Sequence, residues 1–288
     1  MKLPAFEYAC PATLAEAVAL LASRDEAKAL AGGQSLVPMM AFRIAAPSLL
    51  VDLRKLSDLR QITIDKSGVR LGAMVRWRDI EDDARLVPAH PLLKAAVSHV
   101  AHYQIRNRGT VGGSIAHADP AAEMPGIAVA CDAEIAVVGA AGSRVISADN
   151  FFIAPLTTAL AADEIITEIR LPAWPAQRCW GFREFSRRRG DFAMAAAAVF
   201  YDVDDAGTAH NAHIGAIGVG DRPVRLTAAE AEVNGKLVDV TVSERAGVAA
   251  SATVDPQGDI HASGAYRKSL IGTMVERALL SAGAVKVA

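Results

Sequence analysis

Two diglycine steps, Gly32-Gly33 and Gly112-Gly113, constrain this chain more than any other feature. The first follows a short strand-like run, Lys28-Ala29-Leu30-Ala31, and precedes an apolar helical segment from Leu36 to about Phe42. Glycine lets the backbone take positive φ and lets another group approach the amides closely. A helix start just beyond it adds unpaired N–H groups and a favourable dipole. Ser35 either donates its hydroxyl to a ligand or caps that helix; the same residues also make an ordinary tight turn. Thr110-Val111-Gly112-Gly113-Ser114 repeats the chemistry some 80 residues later. Two such loops in one apolar region point to a clamp on a shared diphosphate, whose oxygens main-chain amides satisfy without strong net positive charge.

Asp119 and Glu123 follow the second loop closely. A carboxylate accepts from two adjacent hydroxyls, as on a ribose or ribityl chain, which amides cannot do. The alternative for Asp119 is a helix N-cap before Pro120, a residue suited to a first helical position.

Hydrophobic patterning around these loops predicts an α+β chain. Thr13-Leu14-Ala15-Glu16 is a capping-box signature, with Leu14, Val18 and Leu21 on one helical face. Leu49–Leu53 reads as a strand, so residues 1–55 form a small α+β unit. Val69–Met74, Ala133–Val138 and Glu164–Leu171 read as later strands, and a helix is expected over Pro91–Tyr103. His99 and His102 are ordinary members of that helix. Pro172, Trp174 and Pro175 mark a boundary between an N-terminal part, 1–175, divided near residue 55, and a C-terminal part, 176–288. Beyond it, Trp180–Ser186, Ala193–Val203 and Ala209–Val219 read as three antiparallel strands, the last two joined by the turn Asp204–Gly207. Helices are expected at Leu226–Val233, Val242–Ala252 and Ala265–Ser281.

Several chemistries lack their residues. Gly218-Val219-Gly220-Asp221-Arg222-Pro223 begins like a dinucleotide fingerprint but ends in proline, and no phosphate-binding GxxxxGK[ST] loop or GxSxG elbow occurs. A net charge of −2 offers no basic footprint for nucleic acid. The start of the chain, Met1–Glu7, has no apolar signal core, and no apolar run suits a membrane span. Cys10, Cys131 and Cys179 are widely spaced, which points to a reducing, cytoplasmic setting and leaves this chain without ligands for an iron–sulfur cluster.

Ala31-Gly32-Gly33-Gln34-Ser35-Leu36-Val37-Pro38 and Ile105–Ser114 resemble the paired FAD motifs of the carbon monoxide dehydrogenase medium-subunit family, which includes the flavin domain of xanthine dehydrogenase. Arg187-Arg188-Arg189-Gly190-Asp191-Phe192-Ala193 and Tyr266-Arg267-Lys268 resemble two further motifs of that family, so the likeness runs the length of the chain. The resemblance implies a two-subdomain FAD-binding fold of the PCMH or vanillyl-alcohol-oxidase type, followed by an α+β domain with a three-stranded antiparallel sheet and helices. It implies that Ala31, Gly32, Gly33, Gln34, Ser35 and Leu36, with Thr110, Val111, Gly112, Gly113 and Ser114, hold the FAD diphosphate. It places Glu123, with Asp119 nearby, on the cofactor hydroxyls and Ile166 along the cofactor. Arg183 falls where some members carry a lysine near the cofactor. Phe192 falls where some carry an aromatic beside the flavin; otherwise it is a core residue of the sheet.

The resemblance further implies an electron relay. A large partner would hold the molybdenum cofactor and transform the substrate, and a small partner with two [2Fe–2S] clusters would pass electrons to this chain's FAD, in a dimer of heterotrimers. Quinone, NAD or oxygen would be the final acceptor. No metal ligand is assigned to this chain. The Arg187–Arg189 run suits a docking surface or a solvated turn. The rival readings are a self-contained FAD-dependent oxidase or reductase of the same fold, and a nucleotide-binding scaffold without redox chemistry.

Overall fold

A computed structural model describes residues 2–284; residue 1 and residues 285–288, which the sequence-based division includes, lie outside the described residues. The first unit is β1 (Glu7–Ala9), α1 (Leu14–Ala22), β2 (Ala27–Leu30), α2 (Leu36–Ala41) and β3 (Leu49–Asp52). Its three strands are parallel in the order β1-β3-β2. Thr13 caps α1 by accepting from the Glu16 amide at 3.2 Å. The Glu16 carboxylate reaches the amide of Ala12 rather than that of Thr13, one residue beyond the expected capping box. The apolar face of Ala17, Val18 and Leu21 packs with Leu49 and Val51, and Met74 and Ile165 from the next unit join this cluster.

The second unit contains β4 (Ile62–Asp65), β5 (Gly68–Gly72), α3 (Trp77–Asp82), α4 (Leu86–Ala89), α5 (Pro91–Val97), α6 (Tyr103–Arg106), α7 (Val111–His117), α8 (Glu123–Ala130), β6 (Glu134–Gly139), β7 (Gly142–Ser147), α9 (Ala148–Phe151), β8 (Phe152–Ala154), β9 (Thr157–Thr158) and β10 (Ile165–Pro172). Five strands form an antiparallel sheet in the order β4-β5-β10-β6-β7. The edge strands β4 and β7 were not among the expected strands; β7 buries only Ile146 and so shows little apolar alternation.

The helix expected over 91–103 stops at Val97. Ala101 turns the chain at φ 42, and the carbonyls of Val100 and Ala101 accept from the Arg106 guanidinium instead of continuing a helix. His99 and His102 therefore do not belong to one helix: His99 lies in the turn, and His102 stands at the N-cap position of α6 without a side-chain cap bond.

The third unit is β11 (Cys179–Phe185), β12 (Ala195–Val203), β13 (Ala209–Ile217), β14 (Val224–Arg225), α10 (Thr227–Val233), α11 (Val240–Thr253) and α12 (Gly264–Ala284). The sheet order is β11-β12-β13-β14, so a two-residue fourth strand extends the expected three. Residues 195–201 are buried on both faces, because α12 covers one side and α8 of the second unit covers the other. Small side chains permit that approach: a Cβ on Gly181 would strike the Ala278 carbonyl, and one on Gly215 would lie 2.6 Å from the Ala130 Cβ. A strand covered twice has no alternation to display, which is why 193–198 is a run of apolar residues. A ring series, His90–Trp174–Phe200–His213, with centroid spacings of 4.5, 5.3 and 4.5 Å, joins the second unit to this sheet.

Candidate functional site

One cavity of about 1390 Å³ runs between the three units. It exceeds the roughly 300–1,000 Å³ of pockets for drug-sized ligands, leaving room for an extended dinucleotide. Fourteen of the sixteen candidate residues line it: Ala31, Gly32, Gly33, Gln34, Ser35, Leu36, Thr110, Gly112, Gly113, Ser114, Asp119, Glu123, Ile166 and Phe192. Two do not. Val111 is fully buried in the core beneath the cavity. Arg183 is exposed on β11, where its guanidinium donates to the carbonyl of Phe182.

The two glycine motifs differ in chemistry, contrary to expectation. At the first, Gly33 takes φ +73, and the amides of Gly32, Gly33, Gln34 and Ser35 donate to no protein acceptor among the described residues. Ser35 stands at the N-terminus of α2 without making a side-chain cap, and its hydroxyl has no partner among the described residues. Gln34 folds back, its amide donating to the Gly32 carbonyl at 3.0 Å. This segment is a cradle of unused donors.

The second motif is the first turn of α7, not a loop. Its donors are spent: Val111 N–H bonds to the Val75 carbonyl, Gly112 N–H to the Ala73 carbonyl, and Gly113 N–H to Thr110 Oγ1 at 3.1 Å. Its glycines serve close approach. A Cβ on Gly112 would lie 2.5 Å from that of Ala73, and one on Gly113 2.8 Å from Thr110 Oγ1. The hydroxyl of Ser114 lines the cavity and has no bond among the described residues.

The acids sit past α7. Asp119 does not cap a helix: it accepts from the Ala121 amide at 2.9 Å in a turn, and α8 starts at Glu123 with Ala122 as its cap. Glu123 is 7% exposed. Burial first, and then the neighbouring charges of Glu184 and Asp119, push its pKa up to about 8. At neutral pH Glu123 therefore carries a proton and can donate one hydrogen bond as well as accept others. Glu184, which sequence reasoning did not single out, is 98% buried at its side chain, with Oε2 unpartnered and Oε1 3.7 Å from His99 Nδ1.

The far end is formed by β10 of the second unit together with the third unit. Ile166 is buried on β10 beside a bulge, and Phe192 is 65% exposed at the rim, so it is no core residue of the sheet. Arg187 lines this end as well. Arg267, the middle residue of the Tyr266-Arg267-Lys268 motif, holds the region together. Its Nη1 donates to the carbonyls of Met194 and Gly218 at 2.8 and 2.9 Å, and its Nη2 pairs with Asp259 at 2.7 Å. The 21-residue amphipathic helix that carries Arg267 was legible, but the carbonyls it serves lie 73 and 49 residues away.

Residues 4–174 match the family model of the FAD binding domain in molybdopterin dehydrogenase, and residues 180–282 that of the CO dehydrogenase flavoprotein C-terminal domain. Among characterised proteins, the chain is 39% identical over 284 residues to the nicotine 6-hydroxylase medium subunit of Paenarthrobacter nicotinovorans, covering 99% of each chain. It is 36% identical over 282 residues to the carbon monoxide dehydrogenase medium chain of Hydrogenophaga pseudoflava, covering 98% of each. Among solved structures, a chain of quinoline 2-oxidoreductase from Pseudomonas putida 86 superposes with a TM-score of 0.94 at 37% identity, covering 99% of each chain.

Proposed function

Since this chain belongs to the family of FAD-binding medium subunits of molybdenum hydroxylases, we propose that it holds FAD in the three-unit cavity and relays electrons from the [2Fe–2S] clusters of a small partner to an external acceptor. It is an oxidoreductase component and its cofactor is FAD. The observation that carries the assignment of the cradle is the set of unused amides from Gly32 to Ser35, with the free Ser35 hydroxyl beside them. Such donors suit a diphosphate, whereas an ordinary turn would have satisfied some of them internally.

In this reading Gly32, Gly33, Gln34 and Ser35 bind the diphosphate, and Thr110–Ser114 packs beside them as part of the same wall. Glu123 and Asp119 fix hydroxyls of the cofactor, and Ile166 and Phe192 bound its redox end. Bound FAD supplies the exchange of one and two electrons; the chain's part is to bind it, orient it and exclude water. Substrate conversion belongs to a large partner with the molybdenum cofactor, and the assembly is a dimer of heterotrimers. The division into residues 1–175 and 176–288 is supported by the extents of the two family matches. Among the described residues no helix is long and apolar enough to cross a membrane. The free thiols of Cys10, Cys131 and Cys179 support a reducing, cytoplasmic setting.

The test is expression of the full chain alone and with the partner chains encoded beside it. The chain alone should carry flavin absorbance and show no substrate-driven bleaching, and bleaching should appear in the assembled complex. Rapid turnover of an organic substrate by the chain alone would instead establish a self-contained oxidase or reductase.

A further inference from the structure

Beside the first glycine motif lies a second concavity of about 240 Å³, which shares Ala31, Gly32, Met74 and Thr110 with the cofactor cavity. Arg54, Arg60, Arg76 and Arg108 line it, together with backbone around Gly32 and Thr110. These arginines come from three separate segments: the turn after β3, the entry to α3 and the approach to α7. Four arginines around one small recess repel one another unless something compensates them.

The protein compensates only in part. Arg54 pairs with Asp52 at 2.6 Å, and Arg76 pairs with Asp79 at 2.7 Å. Arg60 donates to the carbonyl of Arg54 at 2.9 Å, which neutralises nothing, and neither Arg60 nor Arg108 has a carboxylate partner among the described residues. Four arginines against two aspartates leave a local charge of about +2. Three of the four forks are already held by protein contacts, so an incoming ligand immobilises little beyond Arg108.

We propose that this recess, whose four arginines do not line the adjoining cofactor cavity, is a second anion site, and that it takes a phosphate-class dianion such as a diphosphate or a terminal phosphate. The recess is too small for a folded protein segment. Planar guanidiniums bind phosphate oxygens in bidentate fashion, which suits a ligand with several equivalent oxygens over a single carboxylate. Free phosphate and a nucleotide-borne phosphate share this chemistry.

The site is tested by calorimetric titration of inorganic pyrophosphate into the FAD-loaded full chain at near-physiological ionic strength. Saturable one-to-one binding is expected. Arg60→Gln/Arg108→Gln should weaken it by about tenfold or more, with melting temperature and FAD content unchanged. Both residues are exposed and outside the cofactor cavity, so the variant should fold. Tighter binding of adenosine diphosphate than of pyrophosphate would assign the ligand to a nucleotide, and equal binding to the inorganic anion. The proposal is overturned by absence of saturable binding, by unchanged affinity in the double variant, or by pyrophosphate binding only when FAD is removed. The last result would give these arginines to the cofactor's own diphosphate. If the chain carried no FAD yet bound pyrophosphate through Arg60 and Arg108, the anion site would stand while the flavin reading fell.

Discussion

Gly32 lies directly against the main-chain carbonyl of Arg108, so close that no β-carbon could be accommodated between them. This contact seats the first glycine motif on the approach to the second. It explains how segments 80 residues apart form one wall, and it separates the roles of two adjacent glycines. Gly32 is required for contact, whereas Gly33 is required for its backbone angle of φ +73.

Gly32→Ala should therefore destabilise the chain by about 1–3 kcal/mol, as overpacking does. Gly33→Ala should cost about 1–2 kcal/mol through left-handed strain. Both should lose FAD. Urea denaturation and the flavin-to-protein absorbance ratio measure the two effects, and full FAD occupancy in a folded Gly32→Ala protein would contradict the cradle.

Thr110→Val removes the hydroxyl that takes the Gly113 amide. Loss of such a cap should cost about 1–2 kcal/mol. Because α7 contributes a wall and not free donors, FAD affinity should fall less than in Gly33→Ala. An equal or larger fall, read by fluorescence titration, would return the α7 amides to the role of phosphate ligands.

Glu123 gives a pH signature. Its folded-state pKa of about 8 lies above the ordinary 4.5, so the folded chain keeps a proton that the unfolded chain releases. Its contribution to stability is complete below about pH 4.5 and is lost as pH rises towards 8, by roughly 1.4 kcal/mol per unit within that window. Glu123→Gln in the FAD-free protein should flatten this dependence, with melting curves close to wild type at pH 5 and higher at pH 8. Parallel curves across the range would show that Glu123 ionises normally.

Arg267→Met should destabilise by about 3–5 kcal/mol, since it strands the carbonyls of Met194 and Gly218 and frees Asp259. Arg267→Lys should recover only part, because an ammonium lacks the planar fork. Faster FAD release should accompany both changes, since Met194 and Asp259 also line the cavity. Stopped-flow displacement would reveal release rates equal to wild type if Arg267 were merely a surface residue.

The sequence alone determined what depends on near neighbours. Thr13 and the Leu14, Val18 and Leu21 spacing specify α1, and the Asp204–Gly207 turn specifies the β12–β13 hairpin, because capping, periodicity and turn chemistry act over a few residues. The glycine motifs could be found by eye, and their likeness to known FAD motifs named the cofactor. Tertiary structure decided which amides were free. Val111, Gly112 and Gly113 have the composition of a phosphate loop, yet Val75, Ala73 and Thr110 consume their donors. It also decided that Glu123 is protonated, that Phe192 stands at a rim and that four arginines share one recess. Each of these depends on which distant segments pack together, and so on desolvation and contact that no local pattern encodes.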